Sequence, residues 1–199
     1  LLRDFESQVL SITAGNGAIY AIRKRVYEPV NILYNHDFEF PSLVKKKKMF
    51  SIYDKTAIAK EKAGETSDDE YKRKVRMLGR TWHKILNDFS VFNPLKVGFL
   101  YSLFMFSHRL LRYSSGLLQL FIFILNVFLL KSGSFFQLFF CCQLLFYSLS
   151  IIGIFYKKNK IVYMHYYFNL FQFATLIGLI KALTNNVKPF WESPKTTRN

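Results

Sequence analysis

Residues 113–130 read YSSGLLQLFIFILNVFLL, residues 132–156 read SGSFFQLFFCCQLLFYSLSIIGIFY, and residues 161–180 read IVYMHYYFNLFQFATLIGLI. The three runs are 18, 25 and 20 residues long and contain no Asp, Glu, Lys or Arg. An α-helix needs about 20 mainly apolar residues to cross the hydrocarbon core of a bilayer. The runs therefore predict three consecutive transmembrane helices, rather than three buried helices of a large soluble protein.

The acidic residues divide the chain into two parts. Of the 13 acidic residues, 12 lie at or before Asp88, and only Glu192 follows. Lys and Arg are spread more evenly, and the formal net charge is +15. We therefore expect a polar domain up to about residue 88, followed by an apolar region that is punctuated by basic residues. The charge would also suit a nucleic-acid-binding protein, but no recognisable module of that class is present, so nucleic acid is not an expected partner.

The segment before the first apolar run predicts a helix at the membrane surface. Residues 97–107 are uncharged, but 11 residues are too few to cross a bilayer. Arg109 and Arg112 precede the first run, and the basic segment 157–160 follows the second, so both lie on the same side of three spans. The positive-inside rule assigns that side to the cytoplasm and places the tail, residues 185–199, outside.

The polar part contains signals for both strands and helices. Residues 15–17 (GNG) predict a turn, and the apolar residues 18–22 and 49–53 have the length and composition of strands. Residues 67–70 (SDDE) are typical of a helix start, because acidic side chains favour the first turn. In that helix Arg73, Arg76 and Arg80 fall at i, i+3 and i+7, and therefore on one face.

Two further segments of the polar part are predicted to be loops. Residues 35–37 (NHD) read as a loop, and the four lysines at 45–48 as a solvated surface loop.

Five short motifs, in this order, resemble those of membrane-bound family 2 glycosyltransferases, which are inverting enzymes of the GT-A type. Residues 17–24 (GAIYAIRK) resemble the strand G-x-x-x-x-x-R-[RK], and residues 35–37 occupy the place of an acidic pair. Residues 53–61 (YDKTAIAKE) resemble Y-x-P-x-A-x-x-x-E, and residues 70–76 (EYKRKVR) resemble E-x-x-R-R-x-R. Residues 107–112 (SHRLLR) resemble the interfacial segment S-H-[KR]-x-x-R. The resemblance is to the C-terminal half of such enzymes, including polysaccharide synthases.

The resemblance implies a domain organisation. Residues 1–93 would be the C-terminal part of a cytoplasmic α/β glycosyltransferase domain, and residues 94–113 an interfacial helix. Residues 114–184 would form three transmembrane helices, followed by the polar tail 185–199. The chain as a whole is expected to be dominated by helix, and to lie in the cell membrane as a multi-pass protein with its head in the cytoplasm.

The resemblance also assigns chemical roles. Inverting transfer needs a carboxylate that takes the proton of the attacking hydroxyl, and Asp37 is the candidate for this general base. The departing nucleoside diphosphate develops negative charge, which an arginine fork binds through two oxygens. Arg76, Arg73 and Arg80 are the candidates for this pyrophosphate contact.

The acceptor side and the cofactor follow from the same resemblance. Asn16, Gly17 and Trp82 are candidates for binding the acceptor sugar. The family holds a divalent metal, Mg²⁺ or Mn²⁺, through a D-x-D motif that is absent from this chain. We therefore expect the donor-binding half of the enzyme to precede this sequence, and we expect the chain by itself to be inactive. Its expected partners are a nucleotide sugar, a glycan or lipid-linked acceptor, membrane lipid and the N-terminal half of the same enzyme.

Two other functions fit the same pattern. One is a transferase that adds a single sugar to a lipid-linked acceptor. The other is a non-enzymatic small membrane protein, an assembly or transport subunit with a basic cytoplasmic head. The apolar runs contain no Asp, Glu, Lys or Arg, whereas ion-transporting spans usually carry ionisable residues, so transport is the weaker interpretation.

Overall fold

The computed structural model describes residues 2–60, 67–156 and 158–189. These residues form helices joined by turns and loops, and no strand occurs among them. The described residues divide into two compact units: those up to Tyr113 together with 178–189, and those within 114–177. The end of the 53–61 motif, Lys157 and the tail beyond residue 189 lie outside the described residues.

The first unit is built from five helices and a short 3₁₀ segment that links α3 to α4. The helices are α1 (Leu2–Val9), α2 (His36–Lys46), α3 (Ser67–Asn87), α4 (Pro94–Val97) and α5 (Phe99–Tyr113), and the 3₁₀ segment is Phe89–Phe92. Residues Met105–Leu110 of α5 are wound as a π-helix.

The predicted strands of an α/β head are not formed in the described residues. Residues 18–22 and 49–53 are turns or irregular segments. The backbone N–H of Ile12 donates to the carbonyl oxygen of Ser51 at 2.9 Å, and the Ser51 N–H donates to the hydroxyl of Ser11. A strand requires a ladder of such bonds with a neighbour, and one backbone bond supplemented by a side chain does not make one. This part of the prediction is corrected to a helical head.

The two predicted loops also differ in the structure. Helix α2 begins at His36, so Asp37 lies in its first turn, where a carboxylate is favoured by the helix dipole. The first two lysines of the run, Lys45 and Lys46, end this helix, and three of the four ammonium groups have protein partners. Lys46 pairs with Asp88 at 2.7 Å, Lys47 pairs with Glu28, and Lys45 lies 4.5 Å from the ring centre of Phe50.

Helices α2 and α3 are joined by a buried ion pair. Lys84 is only 2% exposed, and its ammonium group lies 2.8 Å from Glu39 Oε2 and 2.6 Å from Asp88 Oδ2. A charge removed from water is costly unless it is paired in this way. The apolar core around the contact includes Leu78, Val91 and Met105, all of which are fully buried.

The second unit contains α6 (Ser115–Leu129), α7 (Ser134–Phe155) and most of α8 (Lys160–Leu183). Helices α7 and α8 are long and apolar enough to cross a membrane. Helix α6 has 15 residues, and α5 and α6, separated by a break at Ser114, would add one span if the pair counts as one broken helix. The described residues therefore support two or three spans, in agreement with a membrane protein.

Amide side chains join the helices of the second unit to one another. Gln119 donates to Asn169 Oδ1 at 2.9 Å and to the Tyr147 hydroxyl at 3.3 Å. Asn126 lies 2.8 Å from Gln143 Oε1. Between apolar helices such bonds replace the hydrophobic driving force that operates in water.

Candidate acceptor and leaving-group site

The arginine face of α3 is divided among different partners. Arg73 makes two bonds of 2.8 Å to the carboxylate of Glu70, one turn earlier. Arg80 donates to the carbonyl oxygens of Ile32, Leu33 and Tyr34. Arg80 thereby holds the segment that leads into α2. Arg76, half-buried, lies between them along the helix.

Asn35 fastens the start of α2 to the same turns of α3. Its buried side-chain amide donates to the carbonyl oxygen of Met77 and to the hydroxyl of Thr81, both at 2.8 Å. Met77 and Thr81 each follow one of the arginines, Arg76 and Arg80. The contact therefore brings the first turn of α2, with Asp37, to this part of α3.

A proline within α2 explains how the 15–17 turn is held against the start of this helix. Pro41 has no N–H, so the carbonyl oxygen of Asp37, four residues earlier, has no donor within the helix. The backbone N–H of Gly15 donates to that oxygen at 2.7 Å. The 15–17 turn is thus held against the first turn of α2 by a bond that Pro41 leaves available.

The charges of these side chains act on one another. Burial lowers the pKa of Arg76, the nearby charges of Arg80 and Arg73 lower it further, and the Asp37 carboxylate opposes the shift. Burial likewise lowers the pKa of Arg80, again with Asp37 opposing. The Asp37 carboxylate thus acts on both Arg76 and Arg80, whereas Arg73 is paired with Glu70. An anion bound here would reduce the mutual repulsion of the arginines.

A tyrosine that sequence reasoning left without a role borders the same site. Burial raises the pKa of Tyr20, and the charges of Tyr27 and Asp37 add to the shift. The Tyr20 ring lies 5.2 Å from the His36 ring, measured between centroids. Tyr20 lies within the 17–24 motif, and this position is the sequence feature that could have identified it as part of the site. Nothing in the sequence pointed to Asn35 as the residue that joins α2 to α3.

The residues predicted to bind the acceptor lie in two different environments. Asn16 and Gly17 are exposed beside the first turn of α2, and Asn16 Oδ1 accepts from the N–H of Ala18 at 3.3 Å, as in a tight turn. Trp82 is only 6% exposed, in the core of the first unit. Stacking of a sugar on Trp82 would require that ring to leave the core, so its role in acceptor binding stays a prediction.

The described residues of this chain contain no group of three or more His, Cys, Asp or Glu side chains arranged to hold a metal ion. The divalent metal that the resemblance implies would be held through a D-x-D motif that is absent from this chain, so the metal stays a prediction.

Neither protein-family models, nor curated proteins, nor solved structures match this chain.

Proposed function

We propose that this chain forms the acceptor and leaving-group side of an inverting family 2 glycosyltransferase. The enzyme would transfer a hexose-type sugar from a nucleotide sugar to a glycan or lipid-linked acceptor at the cytoplasmic face of the cell membrane, in the synthesis of cell-surface polysaccharide. One observation carries the proposal. Three segments that contain or directly adjoin separate motifs of the resemblance, residues 15–17, 35–37 and 76–81, meet through the contacts of Gly15, Asn35 and Arg80.

The arrangement suits a single displacement. The acceptor hydroxyl would give its proton to the Asp37 carboxylate while its oxygen attacks the anomeric carbon of the donor. The bond from that carbon to the diphosphate oxygen breaks, and the nucleoside diphosphate leaves with the electron pair. Arg76 would stabilise the developing charge, since cations aimed at a leaving group lower the barrier.

Other residues of the site would position these two groups. Hydrogen bonds hold Arg80 to three backbone carbonyl oxygens and Arg73 to Glu70. The two guanidinium groups therefore have fixed positions beside Arg76. Asn16 and Gly17, on the turn beside Asp37, are placed to meet an acceptor. The metal-binding D-x-D motif of the family would belong to the donor-binding half of the enzyme, so the residues of this site would act without binding the metal themselves.

The proposal is tested by titrating the purified chain, in detergent, with uridine diphosphate and magnesium. The side-chain N–H signals of the arginines are followed by nuclear magnetic resonance, which detects binding even at millimolar affinity. We expect the Arg76 signal to shift on titration. The Arg76→Ala variant should bind several-fold more weakly, and Arg76→Lys should recover only part of the loss, because a point charge replaces a fork.

The matched control is Lys72→Ala, which removes an exposed cation of the same helix that pairs with Asp68. It should leave the titration unchanged. Equal affinity in the Arg76→Ala and Lys72→Ala variants would overturn the assignment of Arg76. Tight metal-dependent binding of a nucleotide sugar to this chain would overturn the expectation that the donor site lies elsewhere.

A further inference from the structure

Helix α5 has an outward face of large apolar side chains. The face that packs against the rest of the unit carries Met105 together with Tyr101 and Arg109, which are buried and hydrogen-bonded. The outward face carries Phe99, Leu103 and Phe106, at i, i+4 and i+7, and Phe99 is 75% exposed. In water a helix usually turns its apolar stripe towards the core.

Helix α1 has a similar apolar outward face. Leu2, Phe5 and Val9 fall at i, i+3 and i+7, and all three are exposed, Phe5 at 56%. Glu6, on the inner side, is completely buried. In a helix of eight residues, a solvated face made of three large apolar side chains has no stabilising role in water.

A buried polar network holds the two helices together. Glu6 Oε1 lies 2.7 Å from Nδ1 of His108, and Glu6 Oε2 accepts from the N–H of Thr13 at 3.0 Å. The Thr13 hydroxyl bonds to Glu6 and accepts from Arg109 Nε at 2.8 Å. The contacts between α1 and α5 are therefore polar on the inside, while their apolar stripes face outward. A lipid environment favours this arrangement, in which polar groups are hydrogen-bonded inside the protein and apolar side chains lie outside.

We infer that α1 joins α5, which the sequence already predicts to lie at the membrane surface, in a lipid-facing pair whose six apolar side chains enter the interfacial region of the bilayer. The six are Leu2, Phe5, Val9, Phe99, Leu103 and Phe106. Lipid is the favoured occupant because α5 ends at Tyr113, two residues before the apolar helix α6 begins. The exposed basic side chain of Lys96 lies at the start of the α5 stripe, as expected beside anionic headgroups. The inference does not depend on the proposed transferase activity.

The test measures the surroundings of each face directly in the full chain. Cys141 and Cys142 are first replaced by Ser, and single cysteines are introduced at Phe5, Leu103 or Phe106 and spin-labelled. The matched control is a label at Lys72, an exposed residue of α3. The protein is reconstituted in vesicles of equal parts phosphatidylcholine and phosphatidylglycerol. Collision rates with oxygen, which concentrates in lipid, and with a water-soluble nickel chelate are compared.

We expect labels at 5, 103 and 106 to collide more often with oxygen than with the nickel chelate, and the label at 72 to show the reverse. All the labelled sites are exposed, so the labels need not disturb packing. Labels at 5 and 103 that meet the nickel chelate as readily as the label at 72 would overturn the inference. Labels shielded from both reagents would also overturn it, because they would show that protein, such as a second copy of the chain, covers this surface.

Discussion

Pro41 determines how the 15–17 turn is attached to α2. Because Pro41 has no N–H, the carbonyl oxygen of Asp37 accepts its hydrogen bond from Gly15 instead. In Pro41→Ala the new N–H can donate to that carbonyl within α2 and compete with Gly15. A hydrogen bond contributes a net ~1 kcal/mol, so we expect the Gly15 amide to exchange with deuterium roughly fivefold faster. Pro29→Ala, in a loop outside α2, is the control. Unchanged exchange at Gly15 would contradict this account of the turn.

Asp37 carries the proposed chemistry. In an enzyme that contains this chain and a donor-binding half, we expect Asp37→Asn to lower turnover by roughly 10²–10⁴-fold, because a positioned base contributes about that much. Donor binding should stay near normal, as measured by the inhibition constant of the nucleoside diphosphate. Asp54→Asn, an exposed carboxylate that bonds to Thr56, is the control. Full turnover in Asp37→Asn would remove Asp37 from the reaction.

The Asp88 carboxylate should make stability depend on pH. Burial raises its pKa, but the hydrogen bonds donated by Lys46, Lys84 and Ser90 outweigh burial and hold it below its usual range. The folded pKa is therefore below the unfolded one, so the stabilisation is present above the unfolded pKa of about 4 and is lost as pH falls through the folded pKa. At neutral pH we expect Asp88→Asn to cost roughly 1.5–3 kcal/mol.

Thermal unfolding in detergent at several pH values measures this effect. The difference between wild type and Asp88→Asn should shrink as the pH falls below about 4. Asp68→Asn, which removes an exposed ion pair with Lys72, should have little effect at any pH. A difference for Asp88→Asn that does not vary with pH would show that its charge is not the source of the stabilisation.

Among the elements, α7 and α8 cross so closely that the contact requires glycine. A Cβ atom at Gly153 would lie 2.6 Å from the carbonyl oxygen of Val162 and 2.7 Å from the Cβ of Tyr166. Neither atom belongs to a flexible chain end, so the helices must separate to admit a methyl group. We expect Gly153→Ala to cost about 1–3 kcal/mol, the usual effect of overpacking.

Thermal unfolding of the detergent-solubilised protein checks the Gly153 prediction. Cys142→Leu is the control, since Cys142 lies on the exposed side of the same helix. It adds more volume than Gly153→Ala but should change the unfolding temperature less. The opposite order would mean that the crossing at Gly153 is not a tight one.

The whole molecule has a topology that labelling can establish. Lys158 and Asn186 lie just outside the two ends of α8, so a spanning α8 places them on opposite sides of the membrane. The positive-inside rule assigns Lys158 to the cytoplasm. In a chain without Cys141 and Cys142, an impermeant maleimide should label Asn186→Cys in intact cells, and Lys158→Cys only after permeabilisation. The reverse pattern would invert the orientation, and labelling of both residues in intact cells would show that α8 does not cross.

The sequence by itself determined the membrane character of the chain, because a long apolar run is decided by composition and length alone. It also predicted the helix that begins at 67–70 and the arginine face of that helix, because spacing along a helix is a local property. The contacts that bring residues near 15, 37 and 77 together are seen only in the structure, since no local pattern specifies which distant segments meet.

The tertiary structure decided the features that depend on partners. Residues 18–22 have the composition of a strand but form none in the described chain, because a strand exists only beside another strand. The lysines at 45–48 resemble a solvated run in sequence, yet Asp88, Glu28 and an aromatic ring bind three of them. The apolar outer face of α1 likewise became visible only when Glu6, Thr13, His108 and Arg109 were found together, since a network between distant residues fixes which face of a helix points inward.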